Sequence, residues 1–497
     1  MTAKEELRKL EKTLYAYRYA NAVIDYDNET VAPYDSSRGR AEAVEVLSRV
    51  EFDLLVNDRT ADLLNRAEKE AKESGDEQLL AEVRELRIEY EETAKIPRDE
   101  YRAFSRLCQE SMPAWVRAKQ NNDFDSFAPY LEKIVESVKK QAEYIDDKKD
   151  PYEVLLNRFE RGLTIEKCDE FFAELRETVV PLLAKIKEKG RVINAEWLDN
   201  DWPLDKQKEL SSFIMKTWGL SPAHCAIGEA EHPFTINFNR NDVRITTHYK
   251  QRDMVSNLYS VAHEGGHALY ELNIAPELDY TVLSGGSTMG IHECQSRTFE
   301  NYVGRSRDFI HFLFPKLKEL FPTQLESVTE DDFYKAVNKA EPGLIRTEAD
   351  ELTYPLHIMV RYEIEKDLIH GKLSVKDLPK AWNEKYKEYL GIEVPDDAHG
   401  VLQDIHWSQG SIGYFPSYAL GSAYGAQAIS DIQKTKDIYS DIRKGDLSSL
   451  SEELKNRVWK YGCLKEPHRL AESLCGGVFS PKYYTEYLKN KYSDIYF

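Results

Sequence analysis

The sequence predicts a mainly α protein, one large helical body in two lobes with a small β-hairpin set into its second half. Apolar residues recur at helical spacing over most of the chain. One stretch near residues 235–247 alternates with a period of two instead. No Pro/Ser/Gly-rich linker and no shift of composition divides the 497 residues, so the chain is read as a single domain, 1–497. Within it, 1–230 reads as a helical scaffold, 231–425 as the part holding the unusual motifs, and 426–497 as C-terminal helices.

In the scaffold, Leu7, Leu10, Leu14 and Tyr15 keep a helical spacing, as do Leu54, Leu55, Leu63 and Leu64, with charged residues between them. Pro151, Pro181, Pro203 and Pro222 punctuate the later helices. The pattern then breaks. Thr235-Ile236-Asn237-Phe238 alternates, Asn239-Arg240-Asn241-Asp242 supplies turn chemistry, and Val243-Arg244-Ile245-Thr246-Thr247 alternates again. A lone hairpin is marginally stable, so this one is expected to pack on something larger. Helices resume at about residue 254 and continue to the end, with a Gly/Tyr-rich interruption near 408–425.

The formal net charge of −20 disfavours binding to phosphate backbones or anionic lipid, so neither nucleic acid nor a membrane is expected as a partner. The charged N-terminus lacks the pattern of a secretory signal, and no apolar run approaches the roughly 18 residues that span a bilayer. Six scattered cysteines (108, 168, 225, 294, 463, 475) without a C-x-x-C pair read as a reduced, cytoplasmic protein.

Asp253 is placed to cap a helix over roughly 254–272, which contains His263-Glu264-Gly265-Gly266-His267. Histidines four apart lie about 40° apart around a helix, so both imidazoles can reach one ion. Glu264 projects beside them, where it can hold a water rather than ligate. This is the H-E-x-x-H arrangement of zinc peptidases, and the fold is expected to be zincin-like. With 12 His in 497 residues, about 0.03 such strings are expected by chance, which makes coincidence a poor explanation. Each glycine costs a helix interior about 1 kcal/mol relative to Ala, so a packing or approach reason is expected there.

A catalytic zinc commonly takes three protein ligands and keeps one position open. A third His six residues after the second would fit one known pattern, but that position is Asn273. A carboxylate on a following helix is expected instead. Glu293 in His292-Glu293-Cys294-Gln295 is the first choice and Glu300, on the same helical face, its rival; Glu277 and Asp279 are weaker. The chemistry expected is peptide hydrolysis, with zinc polarising the scissile carbonyl and Glu264 moving the proton.

Several blocks in order extend the pattern: His232-Pro233-Phe234, Asp242-Val243-Arg244-Ile245-Thr246, the motif helix, and His292-Glu293-Cys294-Gln295. Ile345-Arg346-Thr347-Glu348-Ala349-Asp350 and Gly400-Val401-Leu402-Gln403-Asp404-Ile405-His406-Trp407 follow. On these residues the chain resembles the carboxypeptidase Taq family of metallocarboxypeptidases; Cys294 stands where that family usually has Ser or Gly. The resemblance implies a two-lobed helical fold around a deep groove. It implies release of C-terminal residues one at a time with broad side-chain tolerance, and often a homodimer. It also implies His263, His267 and Glu293 as ligands of one zinc per chain and Glu264 as the base; cobalt can substitute in such a site.

An enzyme acting at a free C-terminus must recognise a carboxylate, and an arginine fork suits that task. Arg346 is the first choice, with Tyr414 and Tyr418 as hydroxyl donors; the alternative is that Arg346 pairs with Glu348, Asp350 or another acid. His406 either donates to the developing oxyanion or is a structural histidine beside Trp407, and His399 is similarly placed. His232 and Arg244 flank the hairpin, whose edge either pairs with an extended peptide or merely packs. Asp404 is a candidate to orient a neighbouring histidine. Two other readings are a related oligopeptidase or dipeptidyl carboxypeptidase, against which the ordered blocks argue, and a binding scaffold with a vestigial metal site, against which Glu264 argues.

Overall fold

The motif helix, Met254–Leu272, is buried on most of its circumference, with its Leu258, Val261, Ala262, Ala268 and Leu269 in the main core. The computed structural model describes residues 1–497, the side chain of Tyr34 excepted. Asp253 caps the motif helix as expected, accepting from the Ser256 amide at 3.0 Å. Among the described residues there are twenty α-helices and one three-stranded sheet, so the mainly α expectation holds.

The expected hairpin is present as β2, Thr235–Asn239, antiparallel to β3, Asp242–Thr247. A further strand lies ahead of it. β1, Cys225–Glu229, pairs parallel with β3, in the order β1-β3-β2. The helical reading of the first 230 residues therefore ends early. Cys-Ala-Ile-Gly-Glu is too short and too mixed to show alternation, and its pairing is non-local. Val243 and Ile245 turn inward to the core beside the motif helix, and β2 is left as an edge strand.

The long N-terminal helix, Ala3–Thr30, begins with a capping box of Thr2 and Glu5. Its first turns, with Leu7 and Leu14, join Leu55, Leu63, Leu64, Leu79, Val83 and Leu86 in a small apolar core of their own. Its later turns reach the sheet through aromatic contacts. Tyr19 packs on Phe238 at 5.2 Å between ring centres, and Tyr26 on Phe234 at 6.1 Å. The larger core joins most of the remaining helices. No helix is long and apolar enough to cross a membrane among the described residues, and all six cysteines are free.

Both glycines of the motif do the expected work of close approach. A Cβ on Gly265 would lie 2.8 Å from Cδ1 of Trp218, whose indole N–H donates to the carbonyl of Ala262. A Cβ on Gly266 would lie 2.5 Å from the carbonyl oxygen of Gln295. That backbone contact lets the short helix Met289–Arg297, which carries Glu293, press directly on the motif helix.

Candidate metal centre

One ligand atom from each of His263, His267 and Glu293 lies within 4.8 Å of the others, the only such group of His, Cys, Asp and Glu among the described residues that could hold a metal ion. Oε2 of Glu293 is 3.4 Å from Nε2 of His267 and 3.7 Å from Nε2 of His263. A tetrahedron with zinc-like bonds of about 2.0–2.1 Å has edges of about 3.3–3.4 Å, so the spacing fits an ion of that size. Two imidazoles among the donors argue against calcium or magnesium, which prefer oxygen.

The outer nitrogens of both histidines are engaged, and this sets their tautomers. Nδ1 of His263 donates to Oε2 of Glu300 at 2.9 Å. Nδ1 of His267 is 2.6 Å from Nδ1 of His292, whose Nε2 donates to Oε1 of Glu271 at 2.7 Å. Because Glu271 can only accept, His292 presents a bare Nδ1, and His267 must donate to it. In each ligand candidate the Nε2 lone pair is thereby left facing the site. Glu271 also accepts from the Gly286 amide at 3.0 Å and from Asn237 of β2, which ties the sheet to this relay. Glu300, the rival third ligand, thus stands behind His263. It lies in a π-helical turn, Thr298–Gly304, that continues the Glu293 helix.

Electrostatics around the cluster are strongly perturbed. Burial opposes the charge on Glu293, but Arg297 and His263 outweigh it and hold the carboxyl well below its usual range. Nε of Arg297 donates to Oε1 of Glu293 at 2.7 Å, and its Nη1 to Glu300 at 3.1 Å. Burial and the neighbouring His292 push His267 down to about 3. His263 is raised despite burial, because Glu293 and Glu300 both face it. Burial raises Glu264, and the hydroxyl of Thr235 opposes this with a 2.6 Å bond to Oε2. Thr235 lies on β2, so the sheet also orients the Glu264 side chain, next in the motif to His263.

A second cluster adjoins the first. Nε and Nη2 of Arg346 bind Asp404 at 2.9 Å each, and Nη1 donates to the hydroxyl of Tyr354 at 3.3 Å. Of the five N–H donors on a guanidinium, two therefore remain free. The acid that pairs with Arg346 is Asp404, not Glu348 or Asp350. Asp404 does not orient a histidine, since it lies 4.0 Å from His406 Nδ1, beyond hydrogen-bond range. It spans Arg346 and the buried Arg361 instead, whose Nε donates to it at 2.7 Å. Tyr354 joins the two clusters, since Arg297 lies over its ring at 4.3 Å. His406 packs on Phe415 and Tyr414, with Nε2 3.2 Å from the Tyr418 hydroxyl. Burial and Arg346 push it down to about 4, so it is neutral at pH 7.

Other expected residues stand apart. Arg244 binds Asp242 at 2.9 Å and lies over the rings of Phe238 and Tyr26. His232 is exposed just before β2. His399 is exposed and held by Asp396 at 2.8 Å. Thr235, Glu271, His292, Arg297, Tyr354 and Arg361 were not singled out from the sequence. Two of them carried a local signal, since Glu271 and Arg297 sit four residues after His267 and Glu293, on the same helical faces.

This donor triad in a helical scaffold, with the Glu264 carboxylate following His263 in the motif, is the arrangement of a metallopeptidase. The family pattern described as Carboxypeptidase Taq (M32) metallopeptidase matches residues 6–492. Carboxypeptidase 1 of Bacillus subtilis is 38% identical over 496 residues, covering 100% of this chain and 99% of that one. Thermostable carboxypeptidase 1 of Pyrococcus furiosus is 33% identical, covering 99% and 98%. The crystal structure of an M32 carboxypeptidase from Deinococcus radiodurans superimposes with a TM-score of 0.96 at 33% identity, over 99% of each chain. The chain belongs to the carboxypeptidase Taq (M32) family and is a metallocarboxypeptidase, a peptide hydrolase acting at the C-terminus.

Proposed function

We propose that the protein is a zinc-dependent carboxypeptidase that removes C-terminal residues singly and with broad specificity, using Glu264 as general base. The observation that carries this reading is the convergence of His263, His267 and Glu293 on one point beside Glu264. His263, His267 and Glu293 would hold the ion, with cobalt a workable substitute. A zinc bound there would acidify a water and polarise the scissile carbonyl.

The remaining steps belong to side chains. Thr235 fixes Oε2 of Glu264, so Oε1 is the atom that takes the water proton and later delivers it to the leaving amine. The two free N–H groups of Arg346, with the hydroxyls of Tyr414 and Tyr418, receive the substrate's terminal carboxylate. His406, neutral at pH 7, offers an N–H to the oxyanion without adding a charge. The edge of the sheet at β2, with His232 and Arg244 near it, is where an extended peptide would add as a strand, and His399 remains a candidate for substrate contact. A single catalytic domain, a cytoplasmic location and a homodimer complete the reading, the dimer resting on the family resemblance.

The test is a time course with an N-blocked peptide, followed by mass, for the zinc-loaded protein and its Glu264→Gln variant. Stepwise loss of single C-terminal residues by the wild type alone supports the proposal. Equal activity in both proteins removes Glu264 from the role of base, and activity that survives complete chelation removes the metal.

A further inference from the structure

The helix that carries Glu293 begins without the usual cap. Its N-cap residue, Thr288, makes no side-chain bond to the first turn. A helix start leaves its first amides unpaired, and a buried start must find partners elsewhere. Here they come from the turn that follows the helix Pro151–Asn157. The carbonyl of Phe159 accepts from the Met289 amide at 3.1 Å. The carboxylate of Glu160, 5% exposed, accepts from the Gly290 amide through Oε2 at 2.8 Å and from the Thr288 hydroxyl through Oε1 at 2.7 Å. A negative group at a helix N-terminus also meets the positive end of the helix dipole.

The approach depends on position 290 having no side chain, since a Cβ there would lie 2.7 Å from Oε2 of Glu160. The Gly290 amide can only donate, so Oε2 must accept, while Oε1 takes the Thr288 hydroxyl; removing the carboxyl group altogether leaves both without this partner. Burial pushes its carboxyl up to about 7, against the pull of Thr288 and Gly290. Gly290 and Glu293 are three residues apart, about 4.5 Å along one side of the helix. A retreat of the first turn is therefore carried into the ligand position. The same turn touches the substrate side, with the ring of Phe159 4.9 Å from that of Tyr414.

We infer that Glu160 is a positioning residue for the metal centre: it caps the Glu293 helix from outside and so sets where the Glu293 carboxylate meets His263 and His267. Resting on the reading of Glu293 as a ligand, this adds a residue far away in sequence that nothing in the motif helix or the Glu293 block implies. Metal sites tolerate displacements of about 0.5 Å, and loss of a supporting partner typically weakens metal binding about 10–100-fold.

The experiment measures zinc affinity by chelator competition at pH 8, with kcat and KM, for wild type, Glu160→Ala, Thr288→Val and Glu293→Gln. Glu160→Ala, which removes both bonds, is expected to bind zinc about tenfold more weakly or worse, and to lose kcat while KM stays within about twofold. Thr288→Val, which removes one of the two bonds to the same carboxylate, is expected to move in the same direction by less. Zinc affinity unchanged in Glu160→Ala, with affinity lost in Glu293→Gln, overturns the positioning role and leaves the ligand reading standing. Affinity retained in Glu293→Gln overturns both. Should Glu160→Ala fail to fold, Thr288→Val decides by the same criterion.

Discussion

Replacing Gly266 by Ala tests how closely the helix of His263 and His267 is matched to the helix of Glu293. The added Cβ would sit 2.5 Å from the Gln295 carbonyl oxygen and 2.8 Å from Cα of Ser296, whereas ordinary contact begins at 3.4 Å. Both clashes are with backbone, so no side chain can swing aside, and the helices must part by about 0.6–0.9 Å. Retreat is resisted on the far side, because a Cβ on Gly421 of the helix Pro416–Ile432 would already lie 2.7 Å from Cβ of Glu293. Overpacking of this kind costs about 1–3 kcal/mol, while Ala in place of Gly returns about 1 kcal/mol of helix propensity. Global stability is therefore a blunt readout. The site is a sharp one, since a shift of nearly 1 Å exceeds the tolerance of a metal site and a 1 Å error costs about 100-fold in rate. Chelator competition and kcat/KM should show Gly266→Ala strongly impaired. Gly265→Ala should fall between, because its clash is with the side chain of Trp218, and Gly285→Ala, which meets nothing within 4 Å, should behave as wild type. Wild-type zinc affinity in Gly266→Ala would refute the argument.

Glu271→Gln should weaken zinc binding about 10–100-fold, because an amide can present a donor to Nε2 of His292 and disturb the tautomer that leaves His267 Nε2 bare; metal titration at fixed pH reads this directly. Glu11→Gln should change how stability depends on pH. Burial and the nearby Glu82 push the Glu11 carboxyl up to about 8, so the folded protein holds a proton that the unfolded chain releases near pH 4.5. Stability from this group is present below about pH 4.5 and is lost as the pH rises through about 8. Urea midpoints at pH 5, 7 and 9 should show the advantage of Glu11→Gln over wild type growing with pH; a constant difference would count against a buried, protonated Glu11.

What the sequence made legible was local. The motif helix ends where its cap and periodicity place it, and its two histidines meet because spacing on a helix is a fixed rotation. Spacing could not separate Glu293 from Glu300, since both lie on one face; the fold separates them by putting one carboxylate before the Nε2 atoms and the other behind His263. Thr235, Tyr354, Arg361 and Glu160 were out of reach because each acts on a partner distant in sequence, through contacts that only the packed chain creates. β1 was missed for the same reason.

Charge explains why these distant partners matter. Four carboxylates, Glu264, Glu271, Glu293 and Glu300, crowd the two histidines, facing only Arg297 and Arg305 among the guanidiniums that bind them. Buried charge left unbalanced is costly, and each carboxylate here has a donor that holds it in place: Thr235 for Glu264, Asn237 and Gly286 for Glu271, Arg297 for Glu293, and both arginines for Glu300. Of the four, Glu293 puts Oε2 before the Nε2 pair, while Glu271 and Glu300 bind the outer nitrogens of His292 and His263. A dication at that point would meet the Glu293 carboxylate directly, with the outer partners holding that carboxylate and both imidazoles in place.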